Sequence, residues 1–223
     1  ATSIPDQERS FEHFQPKISL SWAFDDNASF YMSWGEGFKS GGFNNSGSKQ
    51  TIDTFINPLN PLSPINLEDS YEKEVNRSLE AGFKALLADN RVSLDLSVYK
   101  TNAKDLQFFE FIVGPFGLIR IVENIDESEL SGGEIAVTAI INDNISVYAS
   151  AAAIDSEVLK NSVRTDSVGN NVPYHSDYTF NSGLSLDYPM SNGMNFFAQV
   201  DYAVVGPTWF QLMQTKNSRN TLF

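Results

Sequence analysis

The chain of 223 residues contains no cysteine and only two histidines, His13 and His175. Disulfide scaffolds, thiolate metal sites and cysteine nucleophiles are therefore excluded, and a histidine triad or a multi-histidine metal site is disfavoured. Basic residues are scarce as well, with 15 lysines and arginines against 28 aspartates and glutamates, for a formal net charge of −13. Because nucleic-acid phosphates are bound by clustered lysine and arginine, no nucleic-acid partner is expected.

Long hydrophobic runs are also missing. No uncharged apolar stretch approaches the roughly 20 residues that a membrane helix requires, so membrane spanning by helices is excluded. Spanning by strands is not excluded, because the strands of a membrane barrel alternate apolar and polar residues and leave no hydropathy peak. The 17 phenylalanines and the hydrophobic content of 41% exclude a disordered acidic chain.

The chain does contain a sustained alternation of apolar and polar residues. In the first example, Ile18, Leu20 and Trp22 alternate with Ser19 and Ser21. The same pattern recurs in residues 30–35, 78–85, 92–99, 134–139, 145–151, 181–188 and 194–202. A period of two predicts strands of a sheet with one apolar and one polar face. No segment of comparable length shows the 3.6-residue period of a helix.

Short turns and long connections follow one another along the chain. The short polar turns are at residues 25–27, 88–90, 142–144 and 189–193. The connections between them are long and polar at residues 41–70 and 155–173, with residues 113–117 as the short exception. This order places all the short turns at one end of an antiparallel meander. The predicted fold class is therefore all-β, an antiparallel up-and-down meander of about eight to ten strands.

Two observations favour a partial transmembrane β-barrel over a soluble sandwich. Residues 90–112 run without a turn signal, far beyond the roughly five or six residues of a typical strand. The residues that alternate onto the polar face include Glu80, Asp95 and Glu134, which a core between two packed sheets could not bury unpaired. A soluble β-sandwich, such as a carbohydrate-binding module, stays open as an alternative on the sequence alone.

Four motifs then occur in a fixed order. The chain carries FYMSWGEGFKSGGFN at residues 30–44, YEKE at 71–74 with LEAGFK at 79–84, Asn124 followed by Gly133-Glu134, and GNNVPYHSDYT at 169–179. The ordered set resembles the barrel of TonB-dependent outer-membrane receptors and covers nearly the whole chain. Each motif alone is weak, whereas four of them in family order are fairly specific.

The resemblance implies that residues 1–223 are part of a single receptor β-barrel domain, which has about 22 strands in complete family members. Complete members also hold an N-terminal plug domain inside the barrel, and we expect this chain to be a barrel fragment without it. The implied location is the outer membrane of a Gram-negative bacterium. The implied partners are outer-membrane lipid, the protein's own plug domain, TonB and an extracellular ligand.

The implied function is TonB-driven uptake of a scarce ligand, with a ferric siderophore as the expected cargo. No enzyme activity, cofactor or metal site is expected, because nothing in the sequence brings two acidic residues together beside a nucleophile or a metal. A passive porin-type channel is the alternative among membrane barrels. A plug domain encoded upstream would separate the receptor from the porin.

An aromatic cluster around Gly114-Pro115 should lie at the tip of an extracellular loop. The candidate ligand contacts are Phe108, Phe109, Phe111, Phe116 and Arg120. Aromatic rings give a large contact area at low conformational cost, and arginine adds directed donors for carboxylate or phosphate. Packing within the loop, or an upper aromatic girdle, is the alternative role for these rings.

Two glutamates of the polar parity, Glu80 and Glu134, fall within the motifs. The resemblance implies that such barrel glutamates pair with arginines of the plug and hold it in the lumen. The alternative is that both are solvated carboxylates of a wet lumen.

Overall fold

The computed structural model describes residues 8–59, 61 and 64–212 in full and residues 219–222 as backbone. Strands make up 65% of the structure and helices 7%. The strands are β1 (Lys17–Asp25), β2 (Ala28–Lys39), β3 (Gly42–Phe43), β4 (Ser70–Tyr71), β5 (Glu74–Leu87), β6 (Val92–Gly114), β7 (Gly117–Asn142), β8 (Ile145–Lys160), β9 (Tyr178–Pro189), β10 (Asn195–Trp209) and β11 (Arg219–Leu222).

Within the described residues, nine strands form one sheet in the order β1-β2-β5-β6-β7-β8-β9-β10-β11, and β3 pairs with β4 separately. Every neighbouring pair is antiparallel. The predicted all-β meander is thereby confirmed, and the sheet is open, with β1 and β11 at its two edges. The four predicted short turns lie at one end, called here the short-turn end. The other connections lie at the long-loop end, where the two-residue turn between β6 and β7 is the short exception.

The register aligns the apolar parity of each strand into continuous rows. One row runs through Phe30, Phe83, Leu96, Ile135, Ala151 and Phe180, each directly opposite the next. This apolar face is not covered by a second layer: Ile18, Leu20 and Trp22 of β1 are 70%, 64% and 62% exposed. The sheet therefore does not close around an apolar core of its own, and a β-sandwich is excluded for the part of the chain that the structure describes.

Tyrosines and glycines pair across strands on the opposite, polar face. The pairs are Tyr31 with Gly82, Tyr99 with Gly132 and Tyr148 with Gly183. A Cβ atom added to any of these glycines would lie 2.2–2.7 Å from a side-chain atom of its tyrosine. Each tyrosine ring thus occupies the space above its glycine, which is free because glycine has no side chain.

The buried core sits at the long-loop end instead. There, residues 48–59, predicted as irregular loop, form three short helical segments: Ser48–Thr51, Ile52–Ile56 and Asn57–Leu59. Ile52 and Ile56 are four residues apart, so one face of the helical turn packs on Ile121 of β7. Burial of this apolar pair explains why the segment is helical despite its polar composition.

Gly82→Ala should destabilise the sheet, because its new methyl group would overlap the Tyr31 ring. Overpacking of this kind costs about 1–3 kcal/mol. The measurement is the temperature at which the folded protein, run in detergent gels without prior boiling, shifts to its unfolded mobility.

The matched control is Gly35→Ala. Gly35 lies on the same polar face, in the neighbouring strand β2, and the nearest atom to its added Cβ would be 3.5 Å away. Equal midpoints for the two variants would contradict the packing role of the tyrosine.

Candidate functional site

The hairpin formed by β6 and β7 extends beyond the rest of the sheet at the long-loop end. Pairing of β5 with β6 ends at Val75 opposite Lys104, and pairing of β7 with β8 ends at Glu127 opposite Lys160. Residues 106–125, called here the outer hairpin, therefore have paired strands but two unpaired outer edges. The loop tip predicted around residues 113–117 is confirmed as the turn of this hairpin.

The two faces of the hairpin exchange sides at Asp105, whose φ of 52° is in the left-handed region. Below this point the side chains of Ala103 and Ser128 are buried on the polar face of the sheet. Above it, Phe108 and Ile125 also pack on the side of the polar face, although their positions in the alternation are those of the apolar face. A strand cannot change parity without a bulge or a twist. The register is the same on both sides of Asp105, although Asp105 and Asp126 are not themselves paired.

The edges of the hairpin exchange sides as well. The β7 edge at Val122 faces the loop between β2 and β5, although β7 borders β8 within the sheet. The β6 edge at Phe109 faces the loop between β8 and β9. Exchange of both faces and both edges with constant register is a half-turn of the hairpin about its long axis.

The loop between β2 and β5 grips the β7 edge through Asn44, the last residue of the first motif. Val122 N–H donates to Asn44 Oδ1 at 2.8 Å, and Asn44 Nδ2 donates to the Val122 carbonyl at 2.9 Å. The same Nδ2 donates to the Glu68 carbonyl at 2.9 Å, and Asn44 N–H donates to the Asp69 carbonyl. One side chain thus closes the loop on itself and substitutes for a neighbouring strand.

A second amide network lies below it. Asn124 Oδ1 accepts from Glu72 N–H at 2.7 Å, and its Nδ2 donates to the Asp105 carbonyl at 2.7 Å. Gln107 N–H donates to a carboxylate oxygen of Glu74 at 2.9 Å. These bonds hold the motif segment 71–74 against the base of the outer hairpin, at the point of the half-turn.

The loop between β8 and β9 covers the inward face of the hairpin and carries a buried arginine. Arg164 Nη2 donates to Glu110 Oε2 at 2.7 Å, and its Nε lies 2.9 Å from Glu123 Oε2 without hydrogen-bond alignment. Burial raises the pKa of the Glu123 carboxyl, and the Arg164 guanidinium opposes this only in part. Because truncating one partner would leave a buried charge uncompensated, the cluster fixes the loop to the hairpin.

His175 anchors the other end of that loop. Its Nε2 lies 2.7 Å from the buried Ser156 Oγ, which accepts the Val172 N–H at 3.0 Å. The ring also bonds to the Pro173 carbonyl, which can only accept. A neutral ring with its proton directed at Pro173 therefore takes the serine proton on Nε2.

The five predicted ligand contacts fall into three groups. Phe108 is 4% exposed, beneath Val158 and Val172. Phe116 packs at the tip against Phe55. The remaining three lie together on the outward face of the hairpin. A ligand role for any of the five stays a prediction.

Phe109, Phe111 and Arg120 form a cationic aromatic patch with Tyr174. The Arg120 guanidinium lies 5.0 Å from the centre of the Phe109 ring, and Phe111 meets that ring edge-on at 5.9 Å. The Tyr174 ring stacks on the Phe109 ring with 5.3 Å between the ring centres. Its hydroxyl donates to the Phe109 carbonyl at 3.3 Å. Such a patch offers apolar contact and directed positive charge to a ligand.

Glu80 and Glu134 lie on the polar face, as their parity predicts. Both line a cleft of about 490 Å³ on this face, together with Tyr31 and Asp95. Tyr31 donates its hydroxyl to Glu80 Oε1 at 2.5 Å, and Lys84 pairs with Asp95 at 2.6 Å. Two carboxylates of this cleft, Glu80 and Glu134, have no basic partner in the described part of the chain.

Among the described residues, no three histidine, aspartate or glutamate side chains converge as metal ligands. The helices in that part of the chain are all too short to cross a bilayer. The geometry that remains is a polar face with an acidic cleft, an apolar face, and a hairpin with two loops folded onto it.

The sequence profile for the β-barrel of TonB dependent receptor-like proteins matches residues 1–221. The chain belongs to this family. Its fold is similar to that of the ferric yersiniabactin uptake receptor FyuA of Yersinia pestis, with a TM-score of 0.68 and 18% identity over 93% of this chain and 28% of the other. The siderophore receptor PiuA of Acinetobacter baumannii gives a TM-score of 0.59 and 16% identity over 90% and 27%.

The copper transporter OprC is also similar, with a TM-score of 0.60 and 17% identity over 86% of this chain and 26% of the other. The chain thus spans less than a third of the length of each of these three proteins. At such low identity the likeness establishes the fold. Membership of the family identifies the chain as part of a TonB-dependent receptor-like β-barrel and implies an outer-membrane location.

Sequence reasoning found the motifs but missed what their amides do. Asn44 and Asn124 belong to motifs quoted from the sequence, yet their partners lie 78 and 52 residues away in the chain. Arg164 carried no signal, because a single arginine in a polar loop is ordinary. The one signal for Tyr174 was its position beside Val172-Pro173 in the fourth motif.

The loop between β8 and β9 should open as pH falls. Burial lowers the pKa of His175 below its usual value, outweighing Asp155 and Asp177, which favour the charged ring. A lowered folded-state pKa means that this stabilisation is complete above about pH 6.5 and is lost as pH falls through the folded pKa. Hydrogen exchange of residues 161–177, corrected for its intrinsic pH dependence, measures this opening between pH 7.5 and 5.

His175→Gln should remove the pH dependence, whereas His13→Gln, at the only other histidine, should leave it intact. A pH effect that survives His175→Gln would assign it to another group.

Proposed function

We propose that the chain is part of an outer-membrane receptor for TonB-driven uptake of a scarce extracellular ligand, with a ferric siderophore as cargo. The observation that carries the proposal is the family match along residues 1–221. A passive porin is disfavoured by the same match. In this reading the apolar face contacts lipid, the polar face lines the lumen, and the outer hairpin is extracellular.

The cargo proposal rests on the cationic aromatic patch. Ferric siderophores are large, partly aromatic and commonly anionic, which suits Phe109, Phe111 and Arg120. The net charge of −13 would oppose an anion at long range, so a local cation at the contact point matters. Similar proteins include a ferric yersiniabactin uptake receptor and a copper transporter, so uptake experiments must identify the cargo.

Radiolabelled iron uptake from a panel of siderophores, in cells producing the full-length protein, tests the function. Uptake of one siderophore should require the protein, TonB and the proton-motive force. Phe109→Ala and Arg120→Ala should then each weaken binding of that siderophore about thirtyfold, about 2 kcal/mol, because each removes an anchor.

Phe14→Ala, at a ring that is 83% exposed elsewhere on the long-loop side, serves as the control. Uptake that persists without TonB would support a passive channel. If both anchor variants bind within twofold of the parent while TonB-dependent uptake persists, the receptor function holds and the ligand site lies elsewhere.

We also propose that Glu80 and Glu134 help to hold the plug domain in the lumen. Both carboxylates line one cleft of the polar face, with one charge each left unpaired by lysine or arginine. A buried interface with a basic plug surface would supply the missing partners, because unpaired charges at such a contact are costly.

Glu80→Gln combined with Glu134→Gln should therefore loosen the plug and raise passive permeability of the full-length receptor to small solutes. Liposome swelling measures the permeability. Glu157→Gln with Glu127→Gln, which removes two exposed carboxylates near the long-loop end, controls for charge. Unchanged swelling rates for the first double variant would refute the plug role.

A further inference from the structure

One rung of the outer hairpin is held from both edges. Phe109 and Val122 are direct cross-strand partners. Asn44 bonds both the N–H and the carbonyl of Val122, and the Tyr174 hydroxyl bonds the Phe109 carbonyl. Asn44 belongs to the loop before β5 and Tyr174 to the loop after β8, so two loops that are far apart in sequence meet through a single pair of residues.

Each grip is itself anchored. Asn44 is tied by its amide to Asp69 and by its side chain to Glu68, at the far end of its own loop. Tyr174 N–H donates to the Trp209 carbonyl at 2.8 Å, at the end of β10. Tyr174 also has a φ of 70°, a conformation that a bulky residue adopts only when its surroundings impose it.

We propose that Asn44 and Tyr174 are positioning residues that clamp the Phe109–Val122 rung from opposite edges and couple the two flanking loops through it. The rung carries the Phe109 ring, on which Tyr174 stacks and over which Arg120 lies. Displacement of the hairpin at this rung must strain both loops, and release of either loop must loosen the other. The coupling is a property of the fold and does not depend on which ligand, if any, contacts Phe109.

The Asn44 side chain is the partner that the structure gives the Val122 amide, so its hydrogen exchange reads the clamp directly. Asn44→Asp keeps an acceptor for this amide but replaces the Nδ2 donor by a carboxylate oxygen facing two carbonyls. We expect exchange of the Val122 amide to rise about tenfold in the full-length protein in outer-membrane vesicles. We also expect faster exchange in residues 170–177, which Asn44 does not touch.

Asn45→Asp is the matched control, because it makes the same charge change at the adjacent, exposed position. Tyr174→Phe is the reciprocal variant: it removes only the hydroxyl and should speed exchange of Val122 and of residues 44–52. Since coupling is reciprocal, the double variant should show less than the sum of the two effects.

Faster exchange confined to each variant's own loop, or additive effects in the double variant, would overturn the coupling and leave two independent contacts. If Asn44→Asp fails to fold, as judged by its gel mobility, the effect of Tyr174→Phe on the Val122 amide decides the question alone. An unchanged Val122 amide in that variant would refute the proposal.

Discussion

Backbone amides and carbonyls at a strand edge need hydrogen-bond partners, and the way this chain supplies them organises its structure. Within the sheet each strand is satisfied by its neighbours, in a register that is continuous from β1 to β11 apart from four local shifts. The outer hairpin extends past Lys104 and Glu127, where its pairing with β5 and β8 ends. Side chains of the flanking loops then take over, with Asn44 on one edge and Tyr174 on the other.

The half-turn at Asp105 determines what these loops can cover. It brings the face with Phe108, Ile121 and Ile125 to the inside, where two loops bury it. It brings Phe109 and Phe111 to the outside, where they are 37% and 55% exposed. One aromatic stretch of sequence thereby becomes part of a core and part of a surface, which is why its rings cannot act as a single platform.

The paired and unpaired charges differ between the loop core and the polar face. The buried Arg164 is shared by Glu110 and Glu123, so a single guanidinium serves two carboxylates of the hairpin. On the polar face, Lys84 pairs with Asp95, which leaves Glu80 and Glu134 of the same cleft without a basic partner among the described residues. Tyr31, packed over Gly82, lines the same cleft and donates its hydroxyl to Glu80.

The sequence by itself determined the strands, their faces and their order of turns, because side-chain parity and turn residues act over a few positions. It also determined that Glu80 and Glu134 share the polar face. The half-turn, the buried position of Phe108, and the contacts of Asn44, Arg164 and Tyr174 were decided by the tertiary structure alone. The residue type at Asp105 does not predict its left-handed conformation. The hydrogen bond between Asn44 and Val122, which are 78 residues apart, forms only because the sheet brings these two segments together.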